Sequence, residues 1–490
     1  MIENSLASAH KVLFLNTLAF IICFACWTMN GVLVTYLVDN GIFNWSVVET
    51  GWLLGIPILT GSIMRLPLGI LTDKYGGKPV FATLLLLCSI PLFLLYFANS
   101  YWIYFLLSAL FGMIGTGFAV GIAFTSVWYP KEWQGRALGI FGMGNAGAAL
   151  TTFFAPALLN YLSATDPENG WRMLPVIYGI ILILIGLIFI FFVKNKKAQV
   201  QDKTMSELLA PLSKLRVWRF GLYYFLVFGL FVAFSQWLLP YYVNVYKTSL
   251  ILGGLLSSAF SLPSGVIRAF GGYLSDKFGA RKVMNWVLYS SLILSGFLML
   301  PKMEILTPGK GITAKKTGIV TEVSTNKIVL EQEVLNIQSK PEIPEHTSVL
   351  PESFSWQEVL VKQNQQVNKK QLLAQGHTLI KFEAHIWVFS VLVILLGIMW
   401  GIGKAAVYKY IPEYFPNEIG VVGGMVGLIG GLGGFIGPIL FGYLLDFSGL
   451  WTSSWIFVFI ISAISLFWMN HVIKHMTYKE APHIKDRIEH

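Results

Sequence analysis

Two arginines sit where arginines are costly. They lie in Gly61-Ser-Ile-Met-Arg65-Leu-Pro-Leu-Gly69-Ile-Leu-Thr-Asp73-Lys74-Tyr-Gly-Gly77-Lys78 and in Arg268-Ala-Phe-Gly-Gly272-Tyr-Leu-Ser-Asp276-Lys277-Phe-Gly279-Ala-Arg281-Lys282. Arginine, glycine and aspartate recur at i, i+4 and i+8 in both copies. A charge at membrane depth costs roughly 2.5–3.5 kcal/mol on insertion scales. No Asp, Glu or His lies well inside an apolar stretch to neutralise either one; Glu383, His385, Glu418 and Asp446 fall at edges. A guanidinium is always charged and presents a planar fork of donors, so the pair calls for a planar oxyanion. The bland alternative is that each arginine snorkels or bonds backbone carbonyls. Two helical turns separate each from its charged turn, which is far for snorkelling alone. Lys404, in Gly401-Ile-Gly403-Lys404-Ala-Ala, is read as snorkelling to a helix end. The alternative is a third positive charge on the exit path.

The elements holding these residues are apolar helices. Of the 490 residues, 55% are hydrophobic and 12% charged, where a soluble domain carries about 25% charged. The net charge of +10 invites a nucleic-acid reading. Its distribution rejects that reading, because the basic residues sit in short loops between apolar stretches. Cys23, Cys26 and Cys88 lie inside such stretches and read as small buried hydrophobes rather than a redox or metal site. No nucleophile–base set or metal-spaced cluster appears, so neither catalysis, a metal nor a cofactor is expected.

A bilayer core of about 30 Å needs roughly 20 apolar residues per helix. That ruler predicts twelve spans, near 13–38, 50–72, 79–98, 102–128, 137–162, 172–193, 219–245, 250–274, 283–301, 386–411, 418–444 and 451–472. The first is read as an uncleaved helix rather than a signal peptide. Lysine and arginine favour one set of loops: Lys74 and Lys78, Lys131 and Arg136, the run from Lys194 to Arg219, then Lys277, Arg281 and Lys282. Arg172 and Lys247 are exceptions. The bias puts both termini in the cytoplasm of a bacterial inner membrane.

The expected order is a six-helix half at 1–193, a cytoplasmic linker at 194–218, helices seven to nine at 219–302, an insert at 303–385, helices ten to twelve at 386–472 and a tail at 473–490. The linker is read as polar and held near headgroups by its lysines; a docking helix at Met205–Leu215 is the alternative. The insert is not apolar. Gly318–Val323 and Lys327–Leu330 read as short strands, and Glu358–Gly376 as strand, turn, strand. This pattern resembles half-motifs of the biotinyl/lipoyl-like barrel-sandwich fold. It lacks that fold's modified-lysine turn, so a small extracytoplasmic β module without a covalent cofactor is expected.

The charged turns Gly69-x3-Asp73-Lys74 and Gly272-x3-Asp276-Lys277 resemble the cytoplasmic loop motif of the major facilitator superfamily. The resemblance gives Asp73, Lys74, Asp276 and Lys277 a gating role. Further runs are Gly112-Met-Ile-Gly115-Thr-Gly117-Phe118-Ala-Val-Gly121, Gln134-Gly135-Arg136-Ala-Leu-Gly139-Ile-Phe-Gly142-Met-Gly144-Asn145-Ala-Gly147 and Gly423-Gly424-Met-Val-Gly427-Leu-Ile-Gly430-Gly431-Leu-Gly433-Gly434-Phe435. They look like the two glycine-rich signatures of the nitrate/nitrite porter family, and the likeness spans everything but 303–385. It implies that Arg65 and Arg268 clamp the substrate from opposite halves. It also implies that Phe118, Tyr224 and Phe228 enclose the substrate and that Asn145 stands beside it; Ser235 is a weaker candidate. Gly142, Gly144, Gly147, Gly427, Gly430, Gly431 and Gly434 would let helices approach closely. Static packing and sliding both fit them.

The implied fold is an all-α polytopic membrane protein of twelve helices in two pseudo-symmetric six-helix halves. The implied activity is alternating-access transport of nitrate or nitrite by a monomer in the lipid bilayer. An empty site with two facing arginines repels itself, so exchange of one anion for the other is expected. Proton symport, a different small anion, and a sensor using the insert are the alternatives.

Overall fold

The computed structural model describes residues 2–197, 210–300, 303–343, 352–382, 385–415 and 419–479. The chain divides into two compact units: Met1–Met299 with Ser390–His490, and Leu300–Phe389.

The first unit is helical. We label its helices α1 Ala7–Asp39, α2 Val47–Tyr75, α3 Gly77–Phe97, α4 Tyr101–Ser126, α5 Arg136–Thr165, α6 Gly170–Phe192 and α7 Leu215–Tyr246. Then come α8, Leu250–Val266 with Arg268–Phe278, and α9 Ala280–Leu298. The last three are α10 Ile386–Ile411, α11 Val422–Ser448 and α12 Ser453–Val472. Among the described residues ten helices are long and apolar enough to cross a membrane, and α8, bent by 44°, makes up to eleven. The twelfth expected span, α9, falls short because Arg281, Lys282 and Asn285 occupy its first turns. Side chains such as Phe97, Trp102, Phe191, Phe447 and Phe467 face outward, which suits a hydrocarbon surround. Of the linker expected at 194–218, residues 198–209 lie outside the described residues, and with them 205–209 of the docking-helix alternative; Ala210–Ser213 forms a 3-10 turn and Leu215 already opens α7. The last helix runs on to Lys479, past the expected start of the tail.

Helix ends are where the chain specifies itself most plainly. Ser46 caps α2 in a capping box with Glu49, and Ser100 and Ser249 cap α4 and α8. Gly76 at φ 88° and Gly279 at φ 84° end α2 and α8 in backbone conformations that side chains disfavour. Helices from opposite halves meet nearly backbone to backbone. A Cβ added at Gly51 would lie 2.5 Å from the Pro438 carbonyl, and one at Gly55 2.7 Å from that of Phe435. Gly254 makes the same approach to Thr152, joining α8 to α5. In lipid, contacts this close supply the association that water supplies elsewhere.

Three helices leave α geometry near their middles. Met113–Thr116 in α4 and Met143–Ala146 in α5 are 3-10 turns, and Phe225–Leu230 in α7 is a π turn. The first two coincide with the glycine runs. Such irregular turns recur at functional sites.

The second unit is β-rich. Its strands are β1 Met303–Thr313, β2 Gly318–Val323, β3 Lys327–Leu330, β4 Glu333–Asn336, β5 Glu352–Val359, β6 Gln366–Val367 and β7 Leu372–Phe382. One sheet runs β1-β7-β5 and the other β4-β3-β2-β6. All the pairings are antiparallel. Val320, Ile328, Leu330, Val367 and Leu373 lie in its core. The expected strands at Gly318–Val323 and Lys327–Leu330 form as read. The segment Glu358–Gly376 differs: β5 ends at Val359, and only the short β6 precedes β7.

Candidate functional site

Arg65 opens the second segment of α2, just after the break at Met64. Arg268 opens the second segment of α8, just after Ile267. The repeat seen in the chain is therefore a repeat in place. Arg65 is buried, and its Nη1 donates to the Gly427 carbonyl on α11 at 2.7 Å. Its Nε and Nη2 are buried without a partner. Arg268 is half-buried, with Nη1 also unpartnered.

One ring joins the two cations. The Phe118 centroid is 5.4 Å from the Arg65 Cζ and 5.8 Å from that of Arg268. Arg65 is further framed by Phe228 at 5.5 Å and Trp27 at 5.7 Å, and Arg268 by Tyr408 at 5.7 Å. The rings continue as a row. Phe118 lies 6.2 Å from Phe228, Phe228 stacks on Tyr224 at 4.8 Å, and Tyr224 meets Tyr408 edge-on at 5.0 Å. The i, i+4 pair Tyr224 and Phe228 does share a face, at the start of the π turn. Aromatic faces attract the guanidinium planes by up to about 2 kcal/mol when dry. They make no hydrogen bonds to them, so the forks keep their donors.

Asn145 is fully buried on its 3-10 turn, and both polar atoms of its side chain lack partners. It stands one turn from Gly142, where an added Cβ would touch the Arg268 side chain at 3.5 Å. A buried orphan donor or acceptor costs about 1–3 kcal/mol. Arg65 Nε and Nη2, Arg268 Nη1 and Asn145 Nδ2 are four orphan N–H donors in this region. Such groups are retained where something else satisfies them.

The signature glycines make room for particular side chains. Gly430 faces Tyr224, Gly431 faces Ser62, Gly144 faces Phe20 and Gly147 faces the Ile21 carbonyl. Gly434 faces Ile58 and Val232. At Gly427 a Cβ would lie 3.1 Å from the Tyr408 hydroxyl and 3.7 Å from Arg65 Nη1. These glycines thus let helices approach and also seat the arginine and the aromatic row.

Ser235 donates to the Val232 carbonyl of its own helix at 2.7 Å. One residue differs from its expected place. Lys404 does not snorkel. It is fully buried, its Nζ donates to Ser264 Oγ at 3.1 Å, and it lies over the Phe231 ring.

Sequence reasoning missed Trp27 and Tyr408. Tyr408 had a signal, being four residues after the flagged Lys404 on the same helix. Trp27 had none among 16 tryptophans.

The charged turns lie apart from this cluster. Asp73, Lys74, Asp276 and Lys277 are exposed at the ends of α2 and α8. Asp276 pairs with Lys409 of the α10 helix at 2.5 Å, with exposures of 64% and 41%. Exposed pairs contribute about 0.2–1 kcal/mol. Asp276→Asn is therefore expected to cost at most about 1 kcal/mol in detergent unfolding, a small effect on stability that leaves a gating role measurable in transport rates. The turn after α2 is held otherwise: Asn195 donates to the Tyr75 carbonyl at 2.9 Å.

The profile of the Major Facilitator Superfamily matches residues 16–307 and 372–487. The gap between the matches falls within the β-rich unit. A protein of Thermus thermophilus named probable nitrate/nitrite antiporter NarK1 is 38% identical over 100% of this chain and 97% of its own length. The probable nitrate transporter NarT of Staphylococcus aureus (strain JH9) is 26% identical, covering 94% of each. The nitrite extrusion protein of Bacillus subtilis (strain 168) is 28% identical over 63% of this chain and 76% of its own. Among solved structures, an inward-facing, occupied bacterial homologue of the lysosomal transporter Spinster aligns with a TM-score of 0.62 at 15% identity, covering 94% of this chain and 96% of that one. A point mutant of the nucleoside transporter NupG gives 0.59 at 12%, covering 95% and 99%. These two speak for the fold alone. The chain is a multi-pass membrane transporter, not an enzyme, and it belongs to the Major Facilitator Superfamily, in its nitrate/nitrite porter family.

Proposed function

We propose that this transporter carries nitrate and nitrite by alternating access, mainly as an exchange of one for the other. The observation that carries this reading is the set of four orphan N–H donors on Arg65, Arg268 and Asn145, drawn from α2, α5 and α8, with Phe118 between the two arginines. Both anions are planar and small. An arginine fork meets two oxygens of such an anion in one plane, and a ring wall excludes water without competing for donors. The names of the relatives agree. Arg65, Arg268, Asn145, Phe118, Tyr224 and Phe228 are the proposed binding residues. Asp73, Lys74, Asp276 and Lys277 are the proposed gates.

Exchange follows from charge. Among the described residues no acid pairs with either arginine, so an empty site holds like charges in a low dielectric, where their repulsion is strong. An anion relieves it, and reorientation is fastest when one is bound. Proteoliposomes test this. Nitrite loaded inside is expected to speed nitrate uptake more than tenfold over empty vesicles; equal rates would sink exchange.

The finer architecture belongs to the same reading. Twelve spans in six-helix halves, with α9 as a polar-ended span, leave both termini cytoplasmic in an inner membrane. The linker 194–218 and the tail from 473 then lie on that side, and 303–385 lies outside as a barrel-sandwich-like module. One chain holds all the proposed site residues, so a monomer suffices. Replacing 303–385 by a short Gly/Ser linker is expected to leave anion uptake within about twofold, because a compact unit with its own core is separable. Abolished uptake by a folded deletion protein would favour a role for the module in transport.

A further inference from the structure

None of the steps above uses Lys404. It is fully buried on α10, its Nζ 3.1 Å from Ser264 Oγ and 3.0 Å from the Phe231 ring centroid. Ser264 and Arg268 are four residues apart on α8, so the amine sits about one turn behind Arg268. The charge of Arg268 reaches it. The helices around it add little. α7 presents Phe231, α8 presents Ser264 and Arg268, and α9 presents Val287 to neighbouring Gly403. Tyr408 follows one turn later on α10 itself. Among the described residues no carboxylate acts on it.

Arg65, Arg268 and Lys404 make three cations without an acid. The arginines keep their protons in proteins, whereas a buried amine can exchange its own. The amine is therefore the member that can relieve an empty site. With an anion bound and the amine protonated, the group carries two net positive charges. With no anion and a neutral amine, the two arginines leave the same two, but with nothing between them, so a bound anion still eases reorientation by bridging them.

We propose that Lys404 takes up one proton with each anion that binds and returns it when the anion leaves. The proton comes from water on the side of anion binding, forms the third N–H bond of the ammonium, and returns to water on the side of release. During exchange of one anion for another it stays in place. When the carrier returns empty, anion and proton have crossed together. This inference rests on the anion reading of the site.

The test is an equilibrium titration. Purified wild type in weakly buffered nanodiscs is titrated with nitrate while a dye reads pH and calorimetry reads binding. About one proton is expected per nitrate bound at pH values between the amine's midpoint in the empty site and its higher midpoint in the loaded site, and over that window affinity falls about tenfold per pH unit. K404M and K404R are each expected to bind nitrate with neither proton uptake nor that pH dependence. Nitrate binding by wild type without proton uptake would overturn the inference and leave the anion site standing. Uptake undiminished in both variants would overturn it too. No nitrate binding by folded wild type would remove the anion site, and this inference with it.

Discussion

Arg65→Lys is expected to lower nitrate affinity at least 100-fold while leaving the helical unit folded. Arg268→Lys is expected to lower the affinity about 10- to 100-fold. Lysine keeps the charge, so long-range attraction survives. What goes is the fork. Arg65 already uses Nη1 on the Gly427 carbonyl at 2.7 Å, leaving Nε and Nη2 for a ligand. A lysine at this place has one nitrogen, and the nearby carbonyl competes for it. Hydrogen bonds to charged groups contribute about 1.5–3 kcal/mol each, so losing two predicts at least two orders of magnitude. Arg268 has one orphan nitrogen, and its loss predicts the smaller change. Nitrate binding by calorimetry and counterflow in proteoliposomes both read the effect. Unchanged binding in both variants would show that charge alone holds the anion, and the clamp reading would fail.

Much of this site was legible in the chain because its chemistry is expensive. A guanidinium in an apolar helix announces itself, and two at matching positions announce a pair. Phe118 and Asn145 were legible only through the glycine runs around them; fully buried, each would otherwise pass for core. The structure shows why those runs matter locally. They carry the 3-10 turns at Met113–Thr116 and Met143–Ala146, which turn the neighbouring side chains off the regular α path. The π turn at Phe225–Leu230 left no mark in residue types, because an extra residue per turn costs nothing in hydropathy. Lys404 was misread for a related reason. Proximity to a helix end is visible in sequence, but the Phe231 ring and the Ser264 hydroxyl that hold the amine come from helices far away in the chain. The strands around Val320 and Ile328 were legible by alternation. The β6–β7 region was not, since its turns rest on positive φ at Asn364 and Lys370 rather than on glycine.

The glycines still have two readings, static packing and sliding, and a pair of alanines separates them. Gly431→Ala is expected to destabilise the protein and slow exchange more than tenfold. Its new Cβ would overlap the Ser62 side chain, three residues before Arg65, and overpacking of this kind costs about 1–3 kcal/mol. Ser62→Gly in the same chain removes the obstacle, so the double variant is expected to recover most of both losses; contacting residues couple in this way. Gly424→Ala is the informative partner. A Cβ there meets nothing within 4 Å, so packing in this state cannot require the glycine. Its thermal midpoint is expected to match wild type. A carrier that rocks, however, must bring surfaces together in its other state that stand apart in this one. At Gly69 and Gly272, in the repeated turns, an added Cβ likewise meets nothing within 4 Å. Gly424→Ala is therefore expected to slow exchange without loss of stability, as an obstacle met only in the other state. Normal exchange by this variant would confine the glycine's role to static packing and leave sliding at this position without support.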